Sequence, residues 1–303
     1  MNATSTLTPK QPAEKQGIPQ PGDFILDDSR IGITDKEFKR FSSLVHREFG
    51  IFLPDQKRTL VVGRLQNLLR KMKMKSFTEY IDYVENSKDR SVLSELANRI
   101  STNHTYFFRE NDHFTYLREK VLPEIVARHE AANNHDLRVW CAASSSGEEP
   151  YSIVMTLMEY FGKAYSQWQA GLLATDISEK VLRLAMEGVY PDDRMQQIPK
   201  QLQNKYFKRH GADRWKVTEQ LRNEVTYRRF NLMEKNFPFK KPFDIIFCRN
   251  VLIYFDQPTR IALANRMYNV MAKGSYLFIG HSETLGRDQT PFQYICPAVY
   301  RKA

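Results

Sequence analysis

Cysteine is scarce in this sequence: its 303 residues hold three, Cys141, Cys248 and Cys296, none in a C-x-x-C pair. That scarcity excludes a disulfide framework and a cysteine-built zinc knuckle, and it fits a reducing compartment. His104 and His113 have no ligand-spaced company along the chain, so surface or packing roles are expected for both, and no metal. No apolar run reaches about 18 residues, and Met1 to Asp23 lacks the apolar core of a secretion signal. The chain is therefore read as cytoplasmic, without direct membrane insertion. Acids are in deficit, 35 Asp and Glu against 45 Lys and Arg, for a net charge of +10. Such a balance implies an acidic partner, whether nucleic acid, anionic membrane or acidic protein face, without choosing among them. What is present is 42% hydrophobic and 12% aromatic residues, enough to bury a core in two ordinary domains.

Residues 1–30 are rich in Thr, Gln, Pro and Lys without apolar periodicity, and read as a flexible tail. Thr34 and Glu37 then stand at capping-box spacing before the helical stripe Phe38, Phe41, Leu44, Val45 and Phe49, which stops at Gly50. After Pro54 a second helix is expected to turn Leu60, Leu65, Leu68, Leu69 and Met72 inward. Its remaining surface is basic: between Asp55 and Lys75 stand seven Lys or Arg and one acid, a local charge of +6. Ser76 with Glu79, and Val92, Leu93, Leu96 and Ile100, mark two more helices. Residues 31–102 thus read as a small helical domain.

From 103 to 303, after a polar-aromatic segment ending at Glu110 and a helix around Phe114 to Arg128, the texture changes. Strand candidates are Leu137–Cys141, Gly171–Thr175, Val225–Phe230, Phe243–Cys248, Ser275–Ile279 and Tyr294–Tyr300. Helices fit between them at Pro150–Phe161, Glu179–Gly188 and Pro258–Ala272, the rhythm of a doubly wound α/β sheet. The polar stretch 190–224 interrupts that rhythm and reads as an insertion.

In such a sheet ligands bind beyond the carboxyl ends of the strands. The first end, Arg138 to Ser152, runs into a small-residue turn, yet lacks G-x-G-x-x-G and places Glu148 and Glu149 where a pyrophosphate would sit. A dinucleotide is disfavoured; a phosphate-free nucleoside bearing a cation, such as S-adenosylmethionine, suits the carboxylates. The alternative reading is that the two glutamates simply complement a helix N-terminus. Asp176, 29 residues past Gly147, stands where a ribose would lie, or caps the next helix; Ser178 can cap it instead. Arg249-Asn250 ends an apolar strand abruptly and needs partners. Tyr254 follows nearby and by itself reads as a half-buried packing aromatic with a satisfied hydroxyl. Asn231-Leu232 is a weaker signal. The segment Thr102 to Glu110 is a wall over the ligand or an interdomain packing segment, and Gly280-His281-Ser282-Glu283 a turn with secondary contacts.

Jointly these residues resemble the chemotaxis receptor glutamate methyltransferases, the CheR family. The resemblance rests on Asn103-x-Thr105-x-Phe107-Phe108-Arg109-Glu110, Ser146-Gly147-Glu148-Glu149-Pro150-Tyr151-Ser152, Asp176, Phe247-Cys248-Arg249-Asn250-Val251-x-Ile253-Tyr254 and Gly280-His281-Ser282-Glu283. It spans residues 34–302 in order. It implies a class I, Rossmann-like methyltransferase sheet with a small all-helical N-terminal domain and an inserted β subdomain. It also implies S-adenosyl-L-methionine as cofactor, leaving as S-adenosyl-L-homocysteine, with contacts from Asn103, Thr105, Arg109, Glu149, Asp176, Asn231, Leu232, Arg249 and Asn250. Arg109 and Tyr254 are expected closest to the reacting methyl.

The implied acceptor is a glutamate of the cytoplasmic helical coiled coil of a chemotaxis receptor, to whose membrane site a monomeric enzyme is recruited. Arg58, Arg64, Arg70 and Lys71 are expected to dock that acidic helix. Some members of the family capture a receptor C-terminal peptide through a glycine-rich loop of the inserted subdomain. Here Lys208 to Lys216 holds only Gly211, so docking without that tether is expected. Two rival readings are a nucleic-acid methyltransferase, which the charge favours but which lacks an N-P-P-Y-type tetrapeptide, and an adaptor that only senses S-adenosylmethionine.

Overall fold

The computed structural model describes residues 31–286 and 288–303; the expected tail lies outside them. Helix α1 (Asp35–Phe49) opens with a complete capping box: the Glu37 N–H donates to Thr34 Oγ1 and the Thr34 N–H to the Glu37 carboxylate, while Gly50 closes the helix at φ 71. The other Glu37 oxygen accepts from the N–H and hydroxyl of Thr78. That contact sets α1 against α3 (Phe77–Asn86), which follows α2 (Arg58–Lys71) and precedes α4 (Arg90–Ile100). These helices enclose their own core around Phe41, Leu65, Leu69, Phe77 and Leu96. The inward stripe of α2 differs from expectation at its start. Val61 is buried and Leu60 only half-buried, because Val61, Leu65, Leu68 and Leu69 share one helical face and Leu60 sits beside it.

Helix α5 (Asp112–Tyr116) runs through one π turn, Leu117–Val121, into α6 (Leu122–Ala131). The Leu122 N–H reaches back to Leu117 O just before Pro123, whose missing N–H interrupts the regular ladder. The chain then alternates through β1 (Val139–Ala142), α7 (Glu148–Phe161), β2 (Leu172–Asp176) and α8 (Glu179–Glu187). An insertion follows: β3 (Val189–Pro191), α9 (Lys200–Tyr206), β4 (Phe207–Arg209), β5 (Arg214–Val217) and α10 (Glu219–Asn223). Last come β6 (Val225–Arg229), β7 (Phe243–Phe247), α11 (Gln257–Asn269), β8 (Met271–Phe278), β9 (Gln293–Cys296) and β10 (Val299–Arg301).

The main sheet has seven strands in the order β6-β2-β1-β7-β8-β10-β9, parallel from β6 to β8 and antiparallel beyond. The order reverses between β1 and β7, so a crevice opens at their carboxyl ends. The insertion forms a separate sheet, β3-β5-β4. The single strand expected at Tyr294–Tyr300 is instead a hairpin, because Pro297 has no N–H to share and Ala298 turns at φ 63. Trp140 of β1, fully buried, donates to Thr175 Oγ1 on β2 and is ringed by Phe230, Phe237, Phe239 and Phe243. Among the described residues no helix is long and apolar enough to cross a membrane.

Gly147, which joins the β1 turn to α7, lies at φ 98, and a Cβ there would stand 2.8 Å from Ala185 Cβ and 2.9 Å from the hydroxyls of Tyr190 and Tyr227. Its smallness serves packing behind the turn rather than approach of a ligand in front. Gly147→Ala is expected to cost about 1–3 kcal/mol through backbone strain and overpacking, read from urea unfolding midpoints.

Candidate active site

The strand ends converge on one cleft that is open to solvent. Asn103, Thr105, Arg109, Glu149, Asp176, Asn231, Leu232, Arg249, Asn250 and Tyr254 all line it. The turn after β1 reaches the cleft through left-handed Ala143 and Ser145, at φ 63 and 49. Asp176 braces that turn: one oxygen accepts the Ser145 N–H at 2.9 Å and the other the Ser178 N–H at 2.9 Å. Burial raises its pKa against the pull of these N–H groups. Ser178, not Asp176, caps α8, which leaves Asp176 acceptor capacity toward the cleft. The hydroxyl of Ser144, also in the wall, is buried without a partner.

Across the crevice the Arg249 side chain is fully buried. Its guanidinium bonds Glu149 at 2.7 Å and Glu110 at 2.9 Å, and also donates to the Arg109 carbonyl. Two carboxylates thus face one guanidinium, and the locus carries a net negative charge suited to a cationic ligand. Burial pushes the Glu110 pKa up, but the hydrogen bonds from Asn250 and Arg249, with the Arg249 charge, outweigh it and hold the carboxyl at about 2. Asn250 sits at φ 55, fixed by its side-chain amide on Glu110 at 3.1 Å and its N–H on Glu283 at 2.9 Å. Glu283 also collects the N–H groups of Gly280 and Ile253. Both acids shape the wall from behind it. Glu110 was legible only as part of a motif, and its partnership with Arg249, 139 residues away, left no local signal.

The adjacent glutamates of α7 diverge. Glu149 faces the cleft, whereas Glu148 is buried on the other side, accepting from Ser146 Oγ at 2.7 Å and standing 3.5 Å from Arg194 of the insertion. The segment 102–110 serves both roles open to it: Thr102 to Thr105 and Arg109 form wall, while Phe107 is wholly buried in the core. Arg109 donates to His104 O at 2.8 Å, and the Tyr254 hydroxyl lies 3.4 Å from Thr102 O.

The helical domain closes the cleft, a role its sequence does not reveal. Phe49, Ile51 and Ile100 line the wall. The Phe52 N–H donates to Tyr254 O at 2.8 Å, Ile51 pairs with Phe255 as an antiparallel bridge, and the Asn231 amide donates to Glu48 O at 2.8 Å. Asn231 thus reaches the cleft with its side chain already engaged between domains. The apolar periodicity of α1 marks Phe49 as buried but cannot say against what.

The basic helix α2 divides in the same way. Arg58 pairs with Asp35 at 2.7 Å over the Phe38 ring, and Arg64 donates to Ile100 O and Thr102 Oγ1. Both are half-buried and engaged with an acid or with polar groups of the helical domain and its linker. Arg70 and Lys71 are exposed. His113 is buried and packs edge-on against Phe278, a packing role as expected, and the fold also brings it beside Glu110 and His281, with ligand atoms all within 4.8 Å. Burial, then Arg249 and His281, lower its pKa to about 4.

Comparison with known proteins bears on the same residues. Residues 36–101 match the family described as CheR methyltransferase, all-alpha domain, and residues 103–300 the CheR methyltransferase, SAM binding domain. A chemotaxis protein methyltransferase of Borreliella burgdorferi is 46% identical over 272 residues, covering 90% of this chain and 96% of that protein. Those of Escherichia coli and Pseudomonas aeruginosa, the latter named chemotaxis protein methyltransferase 2, are 35% and 38% identical over 89% and 86% of this chain, and 92% and 90% of theirs.

The Glu110 pKa predicts a pH dependence. Because it is depressed in the folded state, ionised Glu110 contributes stability that is present above its unfolded value of about 4.5 and lost as pH falls toward about 2. Glu110→Gln should therefore be less stable than wild type at pH 7, and the difference should shrink between pH 4.5 and 2 in urea titrations.

Proposed function

The chain belongs to the CheR methyltransferase family, and we propose that it methylates glutamate side-chain carboxylates of chemotaxis receptors, leaving glutamate 5-O-methyl esters. Membership makes it an S-adenosylmethionine-dependent methyltransferase of chemotaxis. The observation that carries the reading is the excess of acid at the cleft: Glu110 and Glu149 around one buried guanidinium, with Asp176 at the other strand end. Such a wall favours a sulfonium and ribose hydroxyls and disfavours phosphate. We assign the cofactor to Asn103, Thr105, Arg109, Glu149, Asp176, Asn231, Leu232, Arg249 and Asn250. We place the domain boundary at Thr102–Asn103.

S-adenosylmethionine supplies the electrophilic methyl. A glutamate carboxylate, with an ordinary pKa near 4.3, is already an anionic nucleophile at neutral pH, so the protein need supply no general base. Its work is alignment, for which well-oriented reactants gain up to about 7–11 kcal/mol. Arg109, beside the cleft mouth with Tyr254, orients the incoming carboxylate; holding that anion too tightly would slow it.

Recruitment occurs at the same mouth. Phe52 and Ile253, 54% and 46% exposed, flank Tyr254 and offer an apolar footing to a receptor helix. Arg70 and Lys71 attract its acids. The β4–β5 connection is a hairpin of four residues, His210 to Asp213, which supports docking by the cytoplasmic enzyme without a tethered receptor peptide; tight calorimetric binding of such a peptide would oppose this.

Incubation with radiolabelled S-adenosylmethionine and receptor should place a base-labile methyl ester on the receptor; a stable label on RNA or DNA instead would overturn the assignment. Arg109→Ala should lower kcat/KM on the order of 10²-fold or more through lost alignment, and near-normal turnover would remove Arg109 from the reacting centre. Reversing charge at Arg70 and Lys71 together should raise KM for receptor and flatten its salt dependence, with kcat little changed.

A further inference from the structure

Behind the cofactor wall lies a polar cluster that methyl transfer does not use. We propose that Glu110, His113 and His281 form a binding site for a divalent metal ion of the zinc class, and that its occupancy opposes cofactor binding. Glu110 and His113 stand three residues apart at the entry to α5, and His281 is delivered by the turn after β8. A carboxylate oxygen and one ring nitrogen from each histidine lie within 4.8 Å of one another, with His113 Nδ1 3.6 Å from Glu110 Oε2. Zinc ligands at about 2.0–2.2 Å from the metal stand roughly 3.4 Å apart, so the widest pair must close by up to about 1.4 Å when metal binds.

A second observation points to a missing partner. His113 is 2% exposed, yet neither of its ring nitrogens has a hydrogen-bond partner. A neutral imidazole carries one donor and one acceptor, and leaving both unmet in the interior is costly. The third is the support of His281: its Nε2 lies 3.0 Å from the Asp112 carboxylate, the arrangement that orients a ligating histidine and leaves Nδ1 for the metal. Nor does charge oppose a cation, since Glu110 and Glu149 share a single guanidinium and Asp112 stands beside His281. His281 is 40% exposed at its side chain and gives access from solvent. Two imidazoles and one carboxylate, with a fourth position for water, select zinc over magnesium or calcium, which prefer oxygen ligands.

Glu110 couples this site to the cleft. The oxygen nearest His113 is the one that accepts from Arg249, so a metal taking it loosens the Arg249 clamp. Metal and cofactor should then weaken one another by the same factor.

The test uses the full chain. Metal analysis after equilibrium dialysis and calorimetry with zinc chloride should give one zinc per chain, and magnesium chloride no binding. His281→Ala, at an exposed position whose backbone N–H to Glu110 survives, should weaken zinc binding by about 10–100-fold. It should leave the affinity for S-adenosylhomocysteine in zinc-free buffer unchanged. Saturating zinc should weaken S-adenosylhomocysteine binding several-fold in wild type and not in the variant. Absence of stoichiometric zinc, which would leave a water as the occupant, or equal zinc affinity in both proteins overturns the site. S-adenosylhomocysteine affinity indifferent to bound zinc overturns the coupling.

Discussion

A single fully buried guanidinium organises the cleft. Arg249 leaves β7 at the point where the sheet order reverses, and a charge there, cut off from water, is tolerable only if partners from elsewhere meet it. Glu149 comes from the first turn of α7, Glu110 and the Arg109 carbonyl from the segment entering α5. The clamp therefore joins three stretches of chain around one point and fixes the distance between the β1 turn and the 102–110 wall. A buried ion network of this kind is weak evidence for stability, since desolvation offsets much of the attraction. Its effect is geometric: the left-handed Asn250 and the Glu283 turn that supports it follow from where Arg249 must point.

The second constraint is closure of the cleft by the helical domain. The end of α1 and the strand-like Ile51–Phe52 lie along Tyr254–Phe255, and Asn231 reaches Glu48. Arg64 holds the linker at Ile100 and Thr102 from behind. One side of the cofactor wall thus belongs to a unit with its own hydrophobic core, so movement of that core against the sheet would open or narrow the cleft. The basic residues of α2 differ accordingly: Arg64 holds the linker, Arg58 pairs with Asp35, and Arg70 and Lys71 are exposed.

Features governed by neighbours along the chain were legible. The Thr34–Glu37 box, the Ser178 cap and the alternation of short strands with helices express local hydrogen bonding and periodicity, and all appear where the residues imply. Departures occurred where a neighbour along the chain was not the neighbour in space. Val61 took the buried place expected of Leu60, and Arg58 and Arg64 engage an acid and carbonyl groups of other elements. Isolated by sequence, His113 gained two potential co-ligands in the fold.

By itself the sequence determined the alternation of strands and helices that builds the main sheet and the set of polar residues at strand ends. Periodicity and capping act over a few residues, and the carboxyl ends of parallel strands are a predictable place for a ligand. Only the tertiary structure decided which acid meets which base. Glu149 and Arg249 lie 100 residues apart, and the adjacent Glu148 turns the other way to Arg194. Burial decides such choices: a charge excluded from water takes whichever opposite charge the packed chain brings within reach, and no local pattern encodes that distance.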